Sequence, residues 1–189
     1  MMENTTIRER IFKHKAYYRF RFCEEKIVKS ENADKDTLLD FLMGIYERKS
    51  LKGFDSYPRA SRMKKPVIET VTIGHPLVNI LHEIKDWCRS HEEVENFLMI
   101  ADRKTVATEV PVWLSPLEFK LDGVMTGHID LLRLTDKIEI WDFKPNPKKE
   151  LATPQVFWYL KMLSSRLQLE FSDFRCGFFN WKEAHVLKI

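Results

Sequence analysis

The chain has 189 residues, of which 44% are hydrophobic and 31% are charged, and its formal net charge is +3. This length suits one compact domain with a buried core, and the ordinary composition excludes a disordered, collagen-like or disulfide-stabilised chain. The small net charge excludes a uniformly basic nucleic-acid coat but leaves room for a local basic patch.

The first quarter of the chain is predicted to be helical. Residues 6–48 are expected to form two helices, separated by a polar break at residues 30–34, with an apolar stripe on the second helix. On the first helix basic residues interleave with aromatic ones, which suits contacts to the phosphates and bases of a single strand, although aromatics that cover the core are the stronger interpretation. The residues concerned are Arg8, Arg10, Lys13, Lys15, Arg19 and Arg21, with Phe12, Tyr17, Tyr18, Phe20 and Phe22.

A positively charged loop is expected next, over residues 53–66. It carries no acidic residue between Pro58 and Pro66. Pro76 then suits the first turn of another helix, predicted to extend through Arg89. We therefore divide the single predicted domain into a basic, helical N-terminal region at residues 1–66 and a core at residues 67–189. The basic residues of the loop are Arg59, Arg62, Lys64 and Lys65.

After residue 103 the pattern changes to short segments rich in β-branched and aromatic residues, which predict strands. Asp122-Gly123 is typical of a tight turn between two of them. Thr153 and Pro154 are expected to begin a helix that runs to Leu167. The order of elements predicts an α/β or α+β domain. The predicted strands are residues 106–114, 117–121, 124–134, 138–144, 174–181 and 184–189.

The three cysteines, Cys23, Cys88 and Cys176, are far apart and form no C-x-x-C pair. They are expected to be reduced thiols in a cytoplasmic protein, and three thiolates are too few for a four-cysteine zinc or iron–sulfur site. Neither an apolar run of about 18 residues nor a signal-peptide pattern occurs in the sequence, so no membrane partner is expected.

Two aspartates in adjacent predicted strands indicate a catalytic site. If residues 135–137 form a three-residue hairpin loop, Asp130 falls opposite Asp142, at a Cβ separation of about 5 Å where like charges destabilise a sheet. A divalent cation would compensate them. Alternation along the strand puts Lys144 on the face of Asp142. Paired acids with an ammonium group suit metal-assisted phosphodiester hydrolysis.

The alternative is an ordinary solvated hairpin end. A two-residue loop would pair Asp130 with Phe143 and send the two aspartates to opposite faces. The spacing acid-x-Lys also carries little information by itself. It recurs at Glu24, Glu47, Glu83, Asp102 and Glu118.

Three short motifs follow one another along this part of the chain. They are Gly127-His128-Ile129-Asp130, then Asp142-Phe143-Lys144, then Gln155 with Tyr159. Their order, spacing and strand–strand–helix placement resemble the G-x-hydrophobic-D, D-x-K and Q-x-x-x-Y series of RecB-type nucleases in the PD-(D/E)XK superfamily. The resemblance covers residues 75–189. It implies a restriction-endonuclease-like α/β fold, with a central mixed sheet flanked by helices.

The resemblance also implies a function and a set of roles. The protein would be a deoxyribonuclease that uses Mg²⁺ or Mn²⁺ on single-stranded DNA or DNA ends. Asp130, Asp142 and Lys144 would be catalytic, with Lys144 orienting the attacking water and helping to deprotonate it. Gln155 and Tyr159 would face the DNA; the alternative is that Gln155 caps its helix and Tyr159 packs in the core. The implied metal ligands are His82, Glu109, Asp130, Asp142 and the backbone carbonyl of Phe143.

The resemblance leaves some points open. His82 is preferred as the histidine ligand because the family places a histidine after an apolar residue on a helix, and His75 and His91 are competitors. Pro145 stands where the family more often has a small hydroxyl residue. Related nucleases of CRISPR adaptation often carry an iron–sulfur cluster, which is not expected here. Alternative functions are a catalytically silent nucleic-acid-binding module on the same fold and a structure-selective endonuclease.

Overall fold

The structure is a computed structural model that describes residues 6–14, 16–48, 59–88, 90–119, 124–146 and 149–189. Among these residues no helix is both long and apolar enough to cross a bilayer. The strands are β1 (Ile7–His14), β2 (Ala16–Cys23), β3 (Thr70–Ile73), β4 (Thr105–Leu114), β5 (Met125–Leu134), β6 (Ile138–Phe143), β7 (Phe174–Phe179) and β8 (Ala184–Leu187). The helices are α1 (Glu24–Val28), α2 (Lys35–Glu47), α3 (Pro76–Ile84), α4 (His91–Ala101), α5 (Pro116–Phe119) and α6 (Lys149–Leu167).

Within the described residues, eight strands form one sheet in the order β1-β2-β4-β5-β6-β7-β8-β3. Only β6 and β7 pair in parallel, and α6 forms the connection between them, as a parallel crossover requires. The other neighbouring strands are antiparallel. A mixed sheet flanked by helices confirms the predicted α/β class.

The register of the β5–β6 hairpin agrees with the three-residue loop. Leu132 pairs with Ile140 and Leu134 with Ile138, and the amide of Thr135 donates to the carbonyl of Lys137 at 3.0 Å. The alternative two-residue loop is therefore excluded.

The predicted first helix is wrong, because residues 7–14 and 16–23 form the paired strands β1 and β2 instead. Aromatic residues recur there at every second position, at Tyr18, Phe20 and Phe22, and a period of two is that of a strand. Phe20 and Phe22 are fully buried. The second predicted helix is confirmed as α2.

Other boundaries also differ from the predictions. The strand expected at 117–121 is wrong, because Ser115 and Glu118 form a reciprocal capping pair and the short helix α5 begins at Pro116. The helix expected from Thr153 begins at Lys149, so Pro154 lies inside it. The helix expected through Arg89 ends at Ile84. The strand β3 and the helix α4 were not predicted, and the turn at 122–123 and residues 53–58 lie outside the described residues.

Helices cover both faces of the sheet, and each face has its own apolar core. Along β5 and β6, residues such as Leu132 and Ile140 face α6, whereas Leu131 and Trp141 face α3 and α4. Strand alternation from Ile140 places Asp142 on the α6 face. In β5 the alternation changes beside Asp130, because Ile129 and Leu132 both belong to the core of the α6 face whereas Leu131 belongs to the other core.

Candidate active site

Three carboxylates lie in one row across neighbouring strands. The register of β4 against β5 places Glu109 opposite Asp130. The ladder between β5 and β6 ends at the pair Leu131 and Trp141, and the next residues along the two strands are Asp130 and Asp142. We call Glu109, Asp130 and Asp142 the acid row. Asp130 and Asp142 are 6% and 0% exposed, so their charges are removed from water.

The helix α4 brings a histidine and a fourth carboxylate to the acid row. The Nε2 atom of His91 lies 2.9 Å from Oδ2 of Asp130 and 3.0 Å from Oε1 of Glu95. His91 and Glu95 are four residues apart and thus share one face of α4. Ser90 fixes the start of this helix through a capping box with Glu93.

The expected histidine ligand, His82, is exposed on α3. Among the competitors, His75 is buried at the start of α3 and lies 3.5 Å from Glu139, on the other face of the sheet. The histidine that contacts the acid row is therefore His91 rather than His82. The choice could not be made from the helical pattern alone, because it depends on which helix packs over the ends of β4 and β5.

The lysine at the end of β6 reaches the acid row. Nζ of Lys144 lies 2.6 Å from Oδ2 of Asp142. The amide of Lys144 donates to the carbonyl of Phe179 in β7, which fixes the backbone from which the side chain extends. The amide of Phe143 donates to Oδ2 of Asp130 at 2.8 Å. The structure thus describes a contact of the Phe143 amide, whereas the sequence predicted that the Phe143 carbonyl binds the metal.

The helix α6 supports the acid row from the other side. Nε2 of Gln155 donates to Oδ1 of Asp142 at 3.2 Å and to the hydroxyl oxygen of Tyr159 at 2.6 Å. Tyr159 is also part of the apolar core, at 3% exposure. The helix can approach this closely because of Gly127, where an added Cβ would lie 2.5 Å from Cε1 of Tyr159.

The acids outnumber the cations around the row. Burial and the carboxylates of Glu95 and Asp130 raise the pKa of Glu109 to about 9. Burial and the neighbouring Asp130 raise the pKa of Asp142 to about 8. Burial disfavours the charged form of His91, but its hydrogen bonds to Asp130 and Glu95 prevail and raise its pKa to about 11.

The carboxylate of Asp130 is the best-compensated member of the row. Burial opposes its charge, yet the hydrogen bond and charge of His91, followed by the charge of Lys144, hold its pKa below the ordinary value. Lys144 is held as an ammonium, since the charges of Asp142 and Asp130 overcome its burial and raise its pKa. Glu109 and Asp142, whose pKa values are raised, instead hold their protons at neutral pH unless a cation binds beside them.

The backbone of Glu109 is in the left-handed region, at φ 49°. For a residue with a Cβ this conformation costs on the order of 1–2 kcal/mol. Beside it, the described ladder between β2 and β4 consists of Arg21 with Thr108 and Phe22 with Ala107. The row therefore begins where the regular pairing of the sheet ends.

Two cavities meet at the acid row. The larger, of about 370 Å³, is lined by Tyr17, Arg19 and Arg21 of β2 and by glutamates of α4. The smaller, of about 160 Å³, is lined by Arg59, Asp130 and Tyr159, among others. Tyr18 and Glu109 line both cavities. Glu109 is thus reachable from both cavities, and Asp130 from the smaller one.

The donor set suits a hard divalent cation. One atom each from His91, Glu95 and Asp130 lies within 4.8 Å of the others, and carboxylate oxygens are favoured by Mg²⁺ and Mn²⁺. The raised pKa values of Glu109 and Asp142 point the same way, because burial and neighbouring carboxylates disfavour their charged forms and a bound cation would favour them. Glu95 was not predicted. The capping box at Ser90 was the available signal, since it makes His91 the first residue of a helix and places Glu95 one turn later.

Comparisons with known proteins identify no relative. No family model matches the chain, and neither a curated protein nor a solved structure shows significant similarity to it.

Proposed function

We propose that this protein is a divalent-metal-dependent nuclease that hydrolyses phosphodiester bonds of DNA, either in single strands or at ends. The carrying observation is the convergence of the acid row, His91 and Lys144, since Nζ of Lys144 lies 2.6 Å from Asp142 and Nε2 of His91 lies 2.9 Å from Asp130. The motif series, its placement on β5, β6 and α6, and the mixed sheet support a RecB-type, restriction-endonuclease-like assignment.

In this proposal His91, Glu95, Asp130 and Asp142 hold Mg²⁺ or Mn²⁺, with Glu109 close by. The bound ion would supply positive charge to polarise the phosphate and to lower the pKa of a water molecule. His91 must be neutral to act as a ligand, so metal binding displaces the proton that it shares with two carboxylates. Metal binding should therefore weaken as the pH falls.

The other residues of the site position the reacting groups. Gln155 holds Oδ1 of Asp142, which leaves Oδ2 to face Lys144. The ammonium of Lys144 can then donate hydrogen bonds to the attacking water and to a phosphate oxygen, where negative charge develops during the reaction. Tyr159 keeps Gln155 in place through their shared hydrogen bond.

A cleavage assay tests the proposal. A fluorescent single-stranded oligonucleotide should be degraded in Mn²⁺ and remain intact in EDTA. Lys144→Met should reduce the rate by at least about 10³-fold, because it removes an ammonium that acts on the developing charge. Lys182→Met is the matched control, since Lys182 is exposed beyond β7. Binding without degradation in any metal would instead favour the catalytically silent module, and cleavage of duplexes or junctions alone would favour a structure-selective endonuclease.

A further inference from the structure

Two arginines flank the acid row, one in each cavity. Arg21 of β2 lines the larger cavity and Arg59 lines the smaller one. Both cavities reach Glu109. A ligand that occupies both cavities must therefore pass Glu109, with the guanidinium of Arg21 in one cavity and that of Arg59 in the other.

Both arginines have buried donors that the described residues do not satisfy. Arg21 is 7% exposed, and its Nε and Nη2 atoms are buried without a hydrogen-bond partner among the described residues. Its Nη2 lies 4.0 Å from Oε2 of Glu95, beyond hydrogen-bonding distance. Nη1 of Arg59 donates to the hydroxyl of Tyr18 at 3.0 Å, while Nη2 is buried and unpartnered in the described part of the chain. Leaving such donors unsatisfied is unfavourable, so each requires an explanation.

Not every buried arginine among the described residues has such donors, although Nε of Arg166 also lacks a partner there. Arg133 is 4% exposed and binds two carboxylates, with Nε 2.7 Å from Asp102 and Nη1 2.5 Å from Glu139. Its role in the fold is evident from these contacts. Arg21 and Arg59 lack an equivalent set, although both lie beside an excess of acidic groups.

The two arginines approach the row from opposite faces of the sheet. Alternation along β2 puts Arg21 on the face of α4, where it meets Glu95, and puts Tyr18 on the other face. There the ring of Tyr18 stacks on His128, with centroids 3.8 Å apart, and its hydroxyl binds Arg59. The described β2–β4 ladder ends at Thr108, and the next residue, Glu109, lines both cavities.

We propose that Arg21 and Arg59 bind phosphate groups on the two sides of the bond that is cut, so that a single nucleic-acid strand crosses the end of the sheet between β2 and β4. The planar guanidinium of arginine can donate two parallel hydrogen bonds to a phosphate group. The carboxylate of Glu95, 4.0 Å from Arg21, is too far away to accept such bonds. Tyr18 would lie between the two phosphates. This inference rests on the proposed nuclease function.

Oligonucleotide binding, measured under conditions that prevent cleavage, tests the assignment of Arg21 and Arg59 as phosphate ligands. The fluorescence anisotropy of a labelled twelve-residue oligothymidylate is measured in EDTA at several salt concentrations. Arg21→Met and Arg59→Met should each weaken binding about tenfold and reduce the slope of log K against log salt by about 0.7, the value for one phosphate contact in a single strand. Arg21→Lys and Arg59→Lys keep the charge and should preserve the slope.

Arg103→Met is the matched control, because Arg103 is exposed in the turn after α4. Circular dichroism confirms folding, and the lysine variants serve if a methionine variant unfolds. If the wild type cleaves in Mn²⁺ but both methionine variants retain the wild-type slope, the arginine assignment is wrong and the nuclease proposal stands. If the wild type neither binds nor cleaves, both are wrong.

Discussion

Two buried groups of acids share β5 and β6, together with residues of neighbouring elements, but are compensated in different ways. On the α3–α4 face, Glu139 of β6 pairs with Arg133 of β5 and also binds Arg175 at 2.6 Å. Burial opposes the charges of Asp102 and Glu139, yet hydrogen bonds and ion pairs from neighbouring groups hold both pKa values below the ordinary range. We call Asp102, Glu139, Arg133 and Arg175 the arginine cluster.

In the acid row, a few residues farther along β5 and β6, His91 and Lys144 compensate Asp130. Burial and neighbouring carboxylates still raise the pKa of Glu109 and of Asp142. The difference teaches that the fold can hold buried acids in their charged form when they are structural. Where it does not, the acids keep protons that a cation from solution could displace.

The largest expected effect separates activity from stability within the acid row. Asp142→Asn should reduce cleavage by at least about 10³-fold, because it removes a charge next to the ion and Lys144. The free energy of unfolding, measured by urea titration in EDTA, should be unchanged or higher, since the substitution relieves repulsion with Asp130. Asp136→Asn, in the exposed hairpin turn, is the control for cleavage. A strongly destabilised Asp142→Asn variant would contradict the comparison.

The arginine cluster should behave in the opposite way. Glu139→Gln leaves Arg133 and Arg175 without their shared carboxylate, and removing one partner of a buried ion pair costs roughly 3 kcal/mol. Urea unfolding measures this loss. Cleavage by the folded fraction should remain at the wild-type rate, because Glu139 faces away from the acid row. Equal loss of stability in Asp142→Asn and Glu139→Gln would remove the distinction between the two groups.

A smaller effect is expected from the glycine under α6. In Gly127→Ala the new Cβ would lie 2.5 Å from Tyr159, so the tyrosine and the adjoining Gln155 must shift. Overpacking of this kind costs about 1–3 kcal/mol. Cleavage should also decrease, because Gln155 holds Asp142. Gly74→Ala is a matched control, since an added Cβ there meets nothing within 4 Å; its unfolding midpoint should stay near that of the wild type.

The smallest expected effect is the loss of unfolding free energy for each unit by which the pH falls. The folded-state pKa values of Asp102 and Glu139 are lowered, so their stabilising contribution is present above about pH 4 and is lost as the pH falls through the folded values. The slope should reach about 1.4 kcal/mol per pH unit for each carboxylate. Thermal unfolding between pH 5 and pH 2 measures it. A Glu139→Gln variant with an undiminished slope would show that the acid sensitivity arises elsewhere.

Local patterns predicted much of this architecture. The three-residue turn sets the register of β5 against β6 and so brings Asp130 and Asp142 next to the last pair, Leu131 and Trp141. The same holds for Gln155 and Tyr159, which are one helical turn apart. These features depend on neighbours in sequence or across one hairpin.

What escaped prediction depends on distant packing. Whether His82 or His91 reaches Asp130 is decided by how α3 and α4 pack on the sheet, which periodicity does not encode. The position of Arg21 was not predicted for a different reason. Its segment was assigned a helical period, although the spacing of Phe20 and Phe22 already indicated a strand.

The lysine of α1 ties the beginning of the chain to the helix that carries His91. Nζ of Lys26 donates to the carbonyls of Met99, Asp102 and Thr105, at 2.5, 2.9 and 3.2 Å, and so covers the last turn of α4. A fragment that starts after residue 66 would lack this anchor and would also expose the edge of β4 that β2 covers. The motif-bearing part of the chain is thus not a separable module, and shortening it from the front should yield a protein that self-associates through the bared strand.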